Sequence, residues 1–311
     1  MEQNNTIIQE KKTLNKRQKD AIFVACLVTL PLIHYAIFYV FANFNSILLA
    51  FQSYSDNGYY YFNNFDNFVR IYNEFINAGY LWTSLGNSLL YYVIHTIVGT
   101  AGSLFFAYYI YKKRFGSKFF KIVLFLPSII ASMALVLSYK YFVDLALPKL
   151  GEMVGIYIPH LASEASTQFG TVVVYGCMMG FGTSLLMYSG AMSNISDSVM
   201  EAAEIDGAGE LRQFFRVALP LIYPTITTFL INGVAGVLSS DMCLFAFYGL
   251  DTNTTHLYTF GYYLLRLIRK AEGAMAEYPY PAAIGLILTF VTVPLTMLVR
   301  WALKKFGPST I

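Results

Sequence analysis

The chain has 311 residues, of which 56% are hydrophobic and only 13% are charged, and its formal net charge is +3. Soluble domains carry about 25% charged residues, so this composition excludes a disordered or fibrous chain and argues against an ordinary soluble enzyme. The small net charge, without a basic stripe that carries aromatic residues, also argues against nucleic-acid binding.

Six long windows lack Asp, Glu, Lys and Arg, and the charges lie between them. They cover residues 21–41, 88–111, 122–139, 171–190, 217–240 and 278–299. About 20 helical residues cross the hydrocarbon core of a bilayer, and uninterrupted apolar windows of this length form helices rather than barrel strands. The sequence therefore predicts an all-α polytopic membrane protein with six transmembrane helices. The transmembrane domain covers residues 21–303, between a basic tail at 1–20 and a short C-terminal segment at 304–311.

The distribution of cationic residues predicts the orientation of these helices. Cytoplasmic loops of membrane proteins carry an excess of Lys and Arg. Fifteen Lys and Arg lie in the N-terminal tail, in the loops after the second and fourth windows, and at the C-terminus, whereas six lie in the remaining segments. Both termini are therefore predicted to be cytoplasmic. The first window is too long for a signal peptide and is followed by no A-x-A site, which predicts a retained helix.

Three polar side chains inside or beside the windows are candidate functional residues. His95 lies in the second window, Asn232 lies in the fifth, and Asp241 directly follows the fifth. Such groups either bond to neighbouring helices or line a polar path, and Asp241 marks either a helix boundary in water or a sugar contact. No metal site or disulfide is predicted, because no ligand lies four residues from His95 and the cysteines form no CxxC pair. The cysteines, expected as buried free thiols, are Cys26, Cys177 and Cys243.

Aromatic and small residues at the window ends leave further alternatives open. Tyr139 ends the third window and Phe245 follows the fifth, which indicates either an interfacial aromatic belt or a platform that stacks on sugar rings. Gly176 and Gly180 form a GxxxG pair that allows close packing, either against a partner chain or against a neighbouring helix. Residues 257–268 are apolar but too short to span a bilayer, so they are predicted to form an interfacial or re-entrant external segment, with a deeper insertion as the alternative.

The cytoplasmic loop at residues 194–220 is the most informative stretch of the chain. Ser198-x-x-Glu201 matches a capping box, which predicts a helix that starts near Val199. Apolar residues on that helix alternate with acidic ones. On pattern alone, the loop is consistent with a short amphipathic helix that lies at the lipid headgroups.

The second half of this loop predicts a turn followed by another helix. Gly207 ends or turns the first helix, because glycine readily takes the left-handed conformation. A second amphipathic stretch at residues 210–218 leads to Pro220, where the fifth transmembrane helix is predicted to begin.

The spacing Glu201-Ala202-Ala203-x3-Gly207-x9-Val217-x-Leu219-Pro220 resembles the EAA loop of importer-type ABC permeases. The pattern of that family is E-A-A-x3-G-x9-I-x-L-P, and only Val217 departs from it. EAAEIDGAG, followed by a Phe and LPLIYP, resembles the carbohydrate branch of the family. Looser resemblance covers most of the chain, including LFLPSIIASMALVLSYKYFVD in the third window.

This resemblance implies the type I permease fold of a binding-protein-dependent carbohydrate importer in a bacterial cytoplasmic membrane. It further implies that the loop forms a coupling helix that docks on a cytoplasmic ATPase. The implied partners are a second permease, two ATPases and an external solute-binding protein. ATP and magnesium are expected on the ATPase, since this chain has no GxxxxGK[ST] motif and is not expected to be an enzyme. The coupling residues are Glu201, Ala202, Ala203, Asp206, Gly207, Leu219 and Pro220, and the candidate substrate-path residues are Tyr139, Asn232, Asp241 and Phe245.

Two other interpretations remain. The cargo of such a permease could instead be a polyol, a glycerophosphodiester or a peptide. A secondary carrier or membrane enzyme is a further alternative, but it predicts acidic residues within the windows, which contain none, and it leaves the EAA-like loop unexplained.

Overall fold

A computed structural model describes residues 15–77, 79–250, 252–272 and 274–308. Lys11 and Lys12 of the predicted basic tail, and residues 309–311 of the predicted C-terminal segment, lie outside the described residues. The helices are α1 (Lys16–Ala50), α2 (Asp66–Asn77), α3 (Gly79–Tyr111), α4 (Ser117–Ser128), α5 (Ser132–Met153), α6 (Ala165–Ser193), α7 (Asp197–Ile205), α8 (Glu210–Gly236), α9 (Leu244–Tyr248), α10 (Phe260–Ala271) and α11 (Met275–Phe306), with a hairpin of β1 (Gln52–Tyr54) and β2 (Tyr60–Phe62).

Five of these helices are long and apolar enough to cross a membrane, namely α1, α3, α6, α8 and α11. All five are longer than their predicted windows, because the hydropathy of a window marks the lipid-buried part of a helix and not its ends. Helix α8 differs at both ends: it begins before the predicted window 217–240 and stops at Gly236, four residues before the window does.

The predicted third span, residues 122–139, is not one straight helix. Helices α4 and α5 share it and are bent by 101° at the break between Ser128 and Ser132. Pro127 lies in the last, 3-10 turn of α4. A proline lacks an N–H and so weakens the hydrogen bonding of the turn in which it stands, and α4 ends one residue later, at Ser128. The two helices count as a sixth span only if the bent pair is taken as one.

Helix α1 packs on the rest of the chain mainly through its C-terminal part, Ala42–Ala50, which lies against α11. Its large side chains are exposed along its length, including Phe23 at 67% and Leu30 at 75%, and Ala50 at its end is its one buried residue. Cys26, expected as a buried thiol, is exposed on the same helix, whereas Cys177 is buried. An apolar helix with this much free surface is suited to lipid or to another membrane protein.

The sequence predicts an interfacial, re-entrant or more deeply inserted segment at 257–268, and the structure buries residues 257–263 of it inside the protein. Leu257, Phe260 and Tyr262 are at most 2% exposed. The Asn87 side chain donates hydrogen bonds to the backbone oxygens of His256 at 2.8 Å and of Tyr258 at 3.1 Å. These bonds satisfy backbone carbonyls of the stretch that precedes α10, which explains how that stretch is tolerated beside α3.

Small residues bring α3 and α6 together. Tyr91 lies against Gly176, and the Nε2 atom of His95 lies against Gly180, so closely that neither glycine has room for a side chain. The GxxxG pair therefore faces a neighbouring helix of the same chain, which settles the alternative left open by the sequence.

Candidate functional site

The loop at residues 194–220 folds as a short helix, a turn and the start of α8. Helix α7 begins at Asp197 with Ser196 as its N-cap. The predicted capping box of Ser198 and Glu201 is therefore wrong by two residues. The Ser198 hydroxyl instead pairs with the Ser196 hydroxyl at 2.6 Å. Asp197 is placed in the first turn, where the helix dipole favours a negative charge.

Gly207 ends α7 in the left-handed conformation that the sequence predicts, with φ of +75°. Its N–H donates to the Glu204 oxygen at 2.9 Å, and the N–H of Ala208 donates to the Ala203 oxygen at 2.9 Å. This pair of bonds is a Schellman motif, which satisfies the last carbonyls of the helix. The turn therefore fixes the angle between α7 and α8.

The surface of α7 and its C-cap that this chain leaves uncovered carries three of the seven predicted coupling residues. Met200 is buried and Ala203 is half-buried, so this side of α7 faces the helix bundle. Glu201, Ala202 and Asp206 are exposed on the other side. The uncovered apolar side chains beside them are Ile205, which is 86% exposed, and Leu211, which is 76% exposed.

Pro220 does not start the fifth transmembrane helix, because α8 runs without a break from Glu210. The segment Phe214–Ala218 is a π-helix, in which the N–H of Leu219 reaches back to the Phe214 oxygen. A widened turn of this kind accommodates a proline that lacks its own N–H. Leu219 packs on the core that α3, α6 and α8 form together, so α8 links α7 rigidly to the helix bundle.

A buried contact ties the start of α8 to the C-terminal end of α3. Gln213 is 4% exposed; its Nε2 donates to the Ala208 oxygen at 2.8 Å, and its Oε1 accepts from Lys112 Nζ at 2.7 Å. Arg114 also pairs with Glu210, but both side chains are about half exposed, so water weakens that ion pair. We call Lys112, Gln213 and the Ala208 carbonyl the latch.

Sequence reasoning missed the latch. Its signal in the sequence is a polar Gln213 on a predicted amphipathic helix, and nothing in that pattern identifies Lys112, 101 positions earlier, as the partner. The two loops come together only once α3 and α8 pack against each other.

A cavity of about 640 Å³ lies at the middle depth of α3, α6 and α8, beside the break between α4 and α5. Asn232 and Asp241 line it, together with His95. The rest of its wall is rich in hydroxyl and aromatic groups, including Tyr91, Tyr92, Thr96, Thr100, Ser128, Ser132, Tyr175, Thr183, Ser184, Tyr188 and Ser240. The structure thus places two of the four predicted substrate-path residues in one cavity.

The other two predicted path residues pack elsewhere. Tyr139 lies against the rings of Tyr175, at 5.2 Å between centroids, and of Phe247, at 6.2 Å. Phe245 lies 5.6 Å below the guanidinium of Arg269. Neither is among the described residues that line the cavity, and their roles in transport stay predictions.

Asp241 stands on a strained turn that follows α8. Met242 has φ of +54° and Cys243 has φ of +61°, a conformation that costs non-glycine residues about 1–3 kcal/mol each. The Thr259 hydroxyl donates to the Ser240 oxygen at 3.2 Å. The backbone of α10 also lies against Ser239 and Ser240, at Gly261. The internal segment 254–263 therefore holds this turn, and with it one end of the cavity, in place.

No group of three or more His, Cys, Asp or Glu side chains that could hold a metal ion lies in the described part of the chain. Hydroxyl, amide, carboxylate and aromatic groups are the features that the cavity offers to a ligand. These groups suit recognition of a polar organic molecule by hydrogen bonds and ring stacking.

Solved structures share this fold. A chain in the crystal structure of a bacterial alginate ABC transporter in complex with an alginate pentasaccharide-bound periplasmic protein matches 94% of this chain and 97% of its own length, with a TM-score of 0.76 and 17% identity. A second structure, of a bacterial ABC transporter involved in the import of the acidic polysaccharide alginate, gives a TM-score of 0.73 over 94% of this chain and 99% of that one, at 16% identity.

Sequence comparisons point the same way. The chain is 26% identical over 282 residues to the multiple sugar-binding transport system permease protein MsmF of Streptococcus mutans, covering 88% of this chain and 92% of that one. It is 29% identical over 203 residues to the sn-glycerol-3-phosphate transport system permease protein UgpA of Escherichia coli, covering 64% and 67%. The family model for binding-protein-dependent transport system inner membrane components matches residues 99–311. The chain therefore belongs to the family of binding-protein-dependent transport system inner membrane components.

Proposed function

We propose that this permease subunit forms half of a translocation path for a sugar or oligosaccharide and couples it to a cytoplasmic ATPase through residues 194–220. The observation that carries the proposal is the uncovered surface of α7, joined through the Gly207 turn to a helix that lines the cavity. The similarity to a sugar permease over 88% of the chain supports carbohydrate as the cargo.

The proposed assembly contains a second permease, two ATPases and an external solute-binding protein in a bacterial cytoplasmic membrane. ATP and magnesium bind to the ATPases. The transmembrane domain at 21–303 crosses the membrane six times, with α4 and α5 forming one bent crossing and both termini in the cytoplasm. The apolar surface of α1 offers a large area to the second permease or to lipid.

The geometry supplies a route by which movement of the ATPase reaches the substrate. Docking moves α7 as a unit, because the two bonds of the Schellman motif hold the Gly207 turn. The latch then passes the movement to α3, while α8 receives it directly. Helices α3 and α8 both line the cavity. Closing of the ATPase dimer therefore moves two walls of the cavity and changes its shape.

The experiment that tests this function is purification of the chain alone and together with its encoded partner subunits. We expect no ATP hydrolysis above background from the isolated chain, and hydrolysis stimulated by a solute-binding protein and a sugar from the assembly. Hydrolysis by the isolated chain, or failure of any ATPase to copurify with it, would contradict the proposal.

The proposed orientation predicts the sidedness of two positions. A cysteine that replaces Lys113 should react with an impermeant maleimide only from the cytoplasm, and one that replaces Asn64 only from outside. The native Cys26 is first changed to serine, because its exposed thiol would otherwise react. The reverse sidedness would overturn the orientation inferred from the Lys and Arg distribution.

The latch predicts a coupling defect without loss of folding. Gln213→Leu removes both latch bonds and leaves the Ala208 carbonyl unpaired, which costs about 1–3 kcal/mol, equivalent to roughly tenfold in an equilibrium. We expect about tenfold less uptake per ATP hydrolysed, at a normal membrane level. Gln213→Glu keeps an acceptor for Lys112 and should give an intermediate value. Equal coupling ratios in the wild type and the leucine variant would exclude the latch from coupling.

An alternative cargo is a glycerol phosphate, favoured by the 29% identity to UgpA. That comparison covers 64% of this chain, less than the comparison with the sugar permease.

A further inference from the structure

The cavity carries a negative charge on this chain's side of the path. Asp241 is the one Asp, Glu, Lys or Arg among the described residues that line it. His95, the other ionisable group of interest, stacks on Tyr91 with ring centroids 5.7 Å apart. A substrate that enters the cavity therefore meets a carboxylate, while the described lining offers no lysine or arginine to pair with an anion.

The hydrogen bonds of Asp241 leave room for a ligand. Its Oδ1 accepts the N–H of Cys243 at 3.4 Å and its Oδ2 accepts the N–H of Phe245 at 3.4 Å. An ionised carboxylate has about four acceptor positions and no donor. Two long bonds therefore leave acceptor capacity that only a donor, such as a sugar hydroxyl, can satisfy.

The backbone that carries Asp241 is held in place by its neighbours. It precedes the left-handed residues Met242 and Cys243, and the preceding Ser240 carbonyl accepts the Thr259 hydroxyl. Gly261 packs directly on this backbone. A phosphate or carboxylate group of a ligand placed beside Asp241 would thus face a like charge, and the ionised oxygens of that group, which only accept, would offer no hydrogen bond to the Asp241 carboxylate.

We propose that Asp241 is a specificity residue that excludes anions, so that the substrate is an uncharged glycan and neither a sugar phosphate nor a uronate. This inference rests on the proposed function. It selects uncharged sugars over phosphates and uronates as the cargo. It separates this chain from relatives named for sn-glycerol 3-phosphate and from the alginate transporters, although the fold is shared.

The test measures ATP-dependent uptake by membrane vesicles that contain the complete assembly. The uncharged probes are raffinose, maltotriose and xylotriose; the anionic probes are sn-glycerol 3-phosphate and an alginate trisaccharide. Uptake is measured at pH 8, at which ordinary imidazole groups are uncharged, so that the carboxylate alone carries charge. Asp241→Asn removes the charge with little change of shape. Glu272→Gln, at an exposed external position, is the matched control for a lost acid.

We expect at least one uncharged probe to enter tenfold or more faster than either anion. Asp241→Asn should reduce that ratio at least threefold, whereas Glu272→Gln should leave it unchanged. Uptake of either anion at the rate of the fastest uncharged probe, or an unchanged ratio in Asp241→Asn, would overturn the charge inference while the proposed function stands. Failure of an ATPase to copurify would instead overturn the proposed function.

Discussion

Gly207→Pro is expected to abolish uptake while leaving the amount of protein in the membrane unchanged. The native φ of +75° lies far from the value near −65° that proline enforces, and the substitution also removes the N–H that donates to Glu204 at 2.9 Å. Losing the turn misdirects α7 at a cost of about 3 kcal/mol or more, which is roughly a hundredfold in docking affinity. Uptake of labelled substrate, normalised to the protein found in membranes, measures the effect.

A neighbouring glycine supplies the matched control for this substitution. Gly209 has φ of −64° and open space where a Cβ would be placed, so Gly209→Ala should transport normally. Glu201→Ala removes an exposed charge without altering the turn. It should weaken docking about tenfold if Glu201 makes a charge-assisted hydrogen bond to the ATPase, since such bonds contribute about 1.5–3 kcal/mol. Wild-type uptake by Gly207→Pro would mean that this loop is not the coupling element.

The positions of the long helices could be predicted because they follow from solvation of the backbone. An apolar stretch in lipid must satisfy its own N–H and C=O groups, so hydropathy alone locates α1, α3, α6, α8 and α11. The Gly207 turn could also be predicted, since a glycine after an amphipathic stretch has few other roles.

Details that depend on competition between nearby groups could not be predicted. Ser196 occupies the N-cap position of α7 where the sequence pattern favours Ser198, and the two hydroxyls pair with each other instead of capping the helix. Pro127 was visible within the third window, but whether a proline kinks or breaks a helix depends on what fills the gap. In this protein α4 ends at Ser128, and α5 begins at Ser132 after a bend of 101°.

The cavity and the buried segment depend on contacts between distant parts of the chain. Asn87 and His256, which hold residues 254–263 inside the protein, are 169 positions apart. The sequence indicates Asn232 and Asp241 as functional residues because polar side chains in or beside a membrane span pair with partners or line a pathway. Both line the cavity. The sequence indicates Tyr139 and Phe245 by their aromatic rings alone. An aromatic ring does not distinguish a stacking platform from core packing.

Gly261→Ala should destabilise the protein and disturb the cavity together. A Cβ at this position would overlap the backbone of Ser239 and Ser240, which unlike a flexible side chain cannot move aside locally. Either α10 or the turn that carries Asp241 must shift, and overpacking of this kind typically costs about 1–3 kcal/mol. We expect a lower midpoint of thermal unfolding in detergent and at least tenfold less uptake.

Gly170→Ala provides the control, because Gly170 is helical and nothing lies within 4 Å of the added methyl group. Alanine is favoured over glycine in a helix by roughly 1 kcal/mol, so this variant should be as stable as the wild type or more so. If Gly261→Ala unfolds at the wild-type temperature and transports normally, the segment 254–263 does not hold the turn, and Asp241 is free to move. If the variant is as stable as the wild type but no longer transports, the fixed position of Asp241 is needed for transport itself and not only for folding.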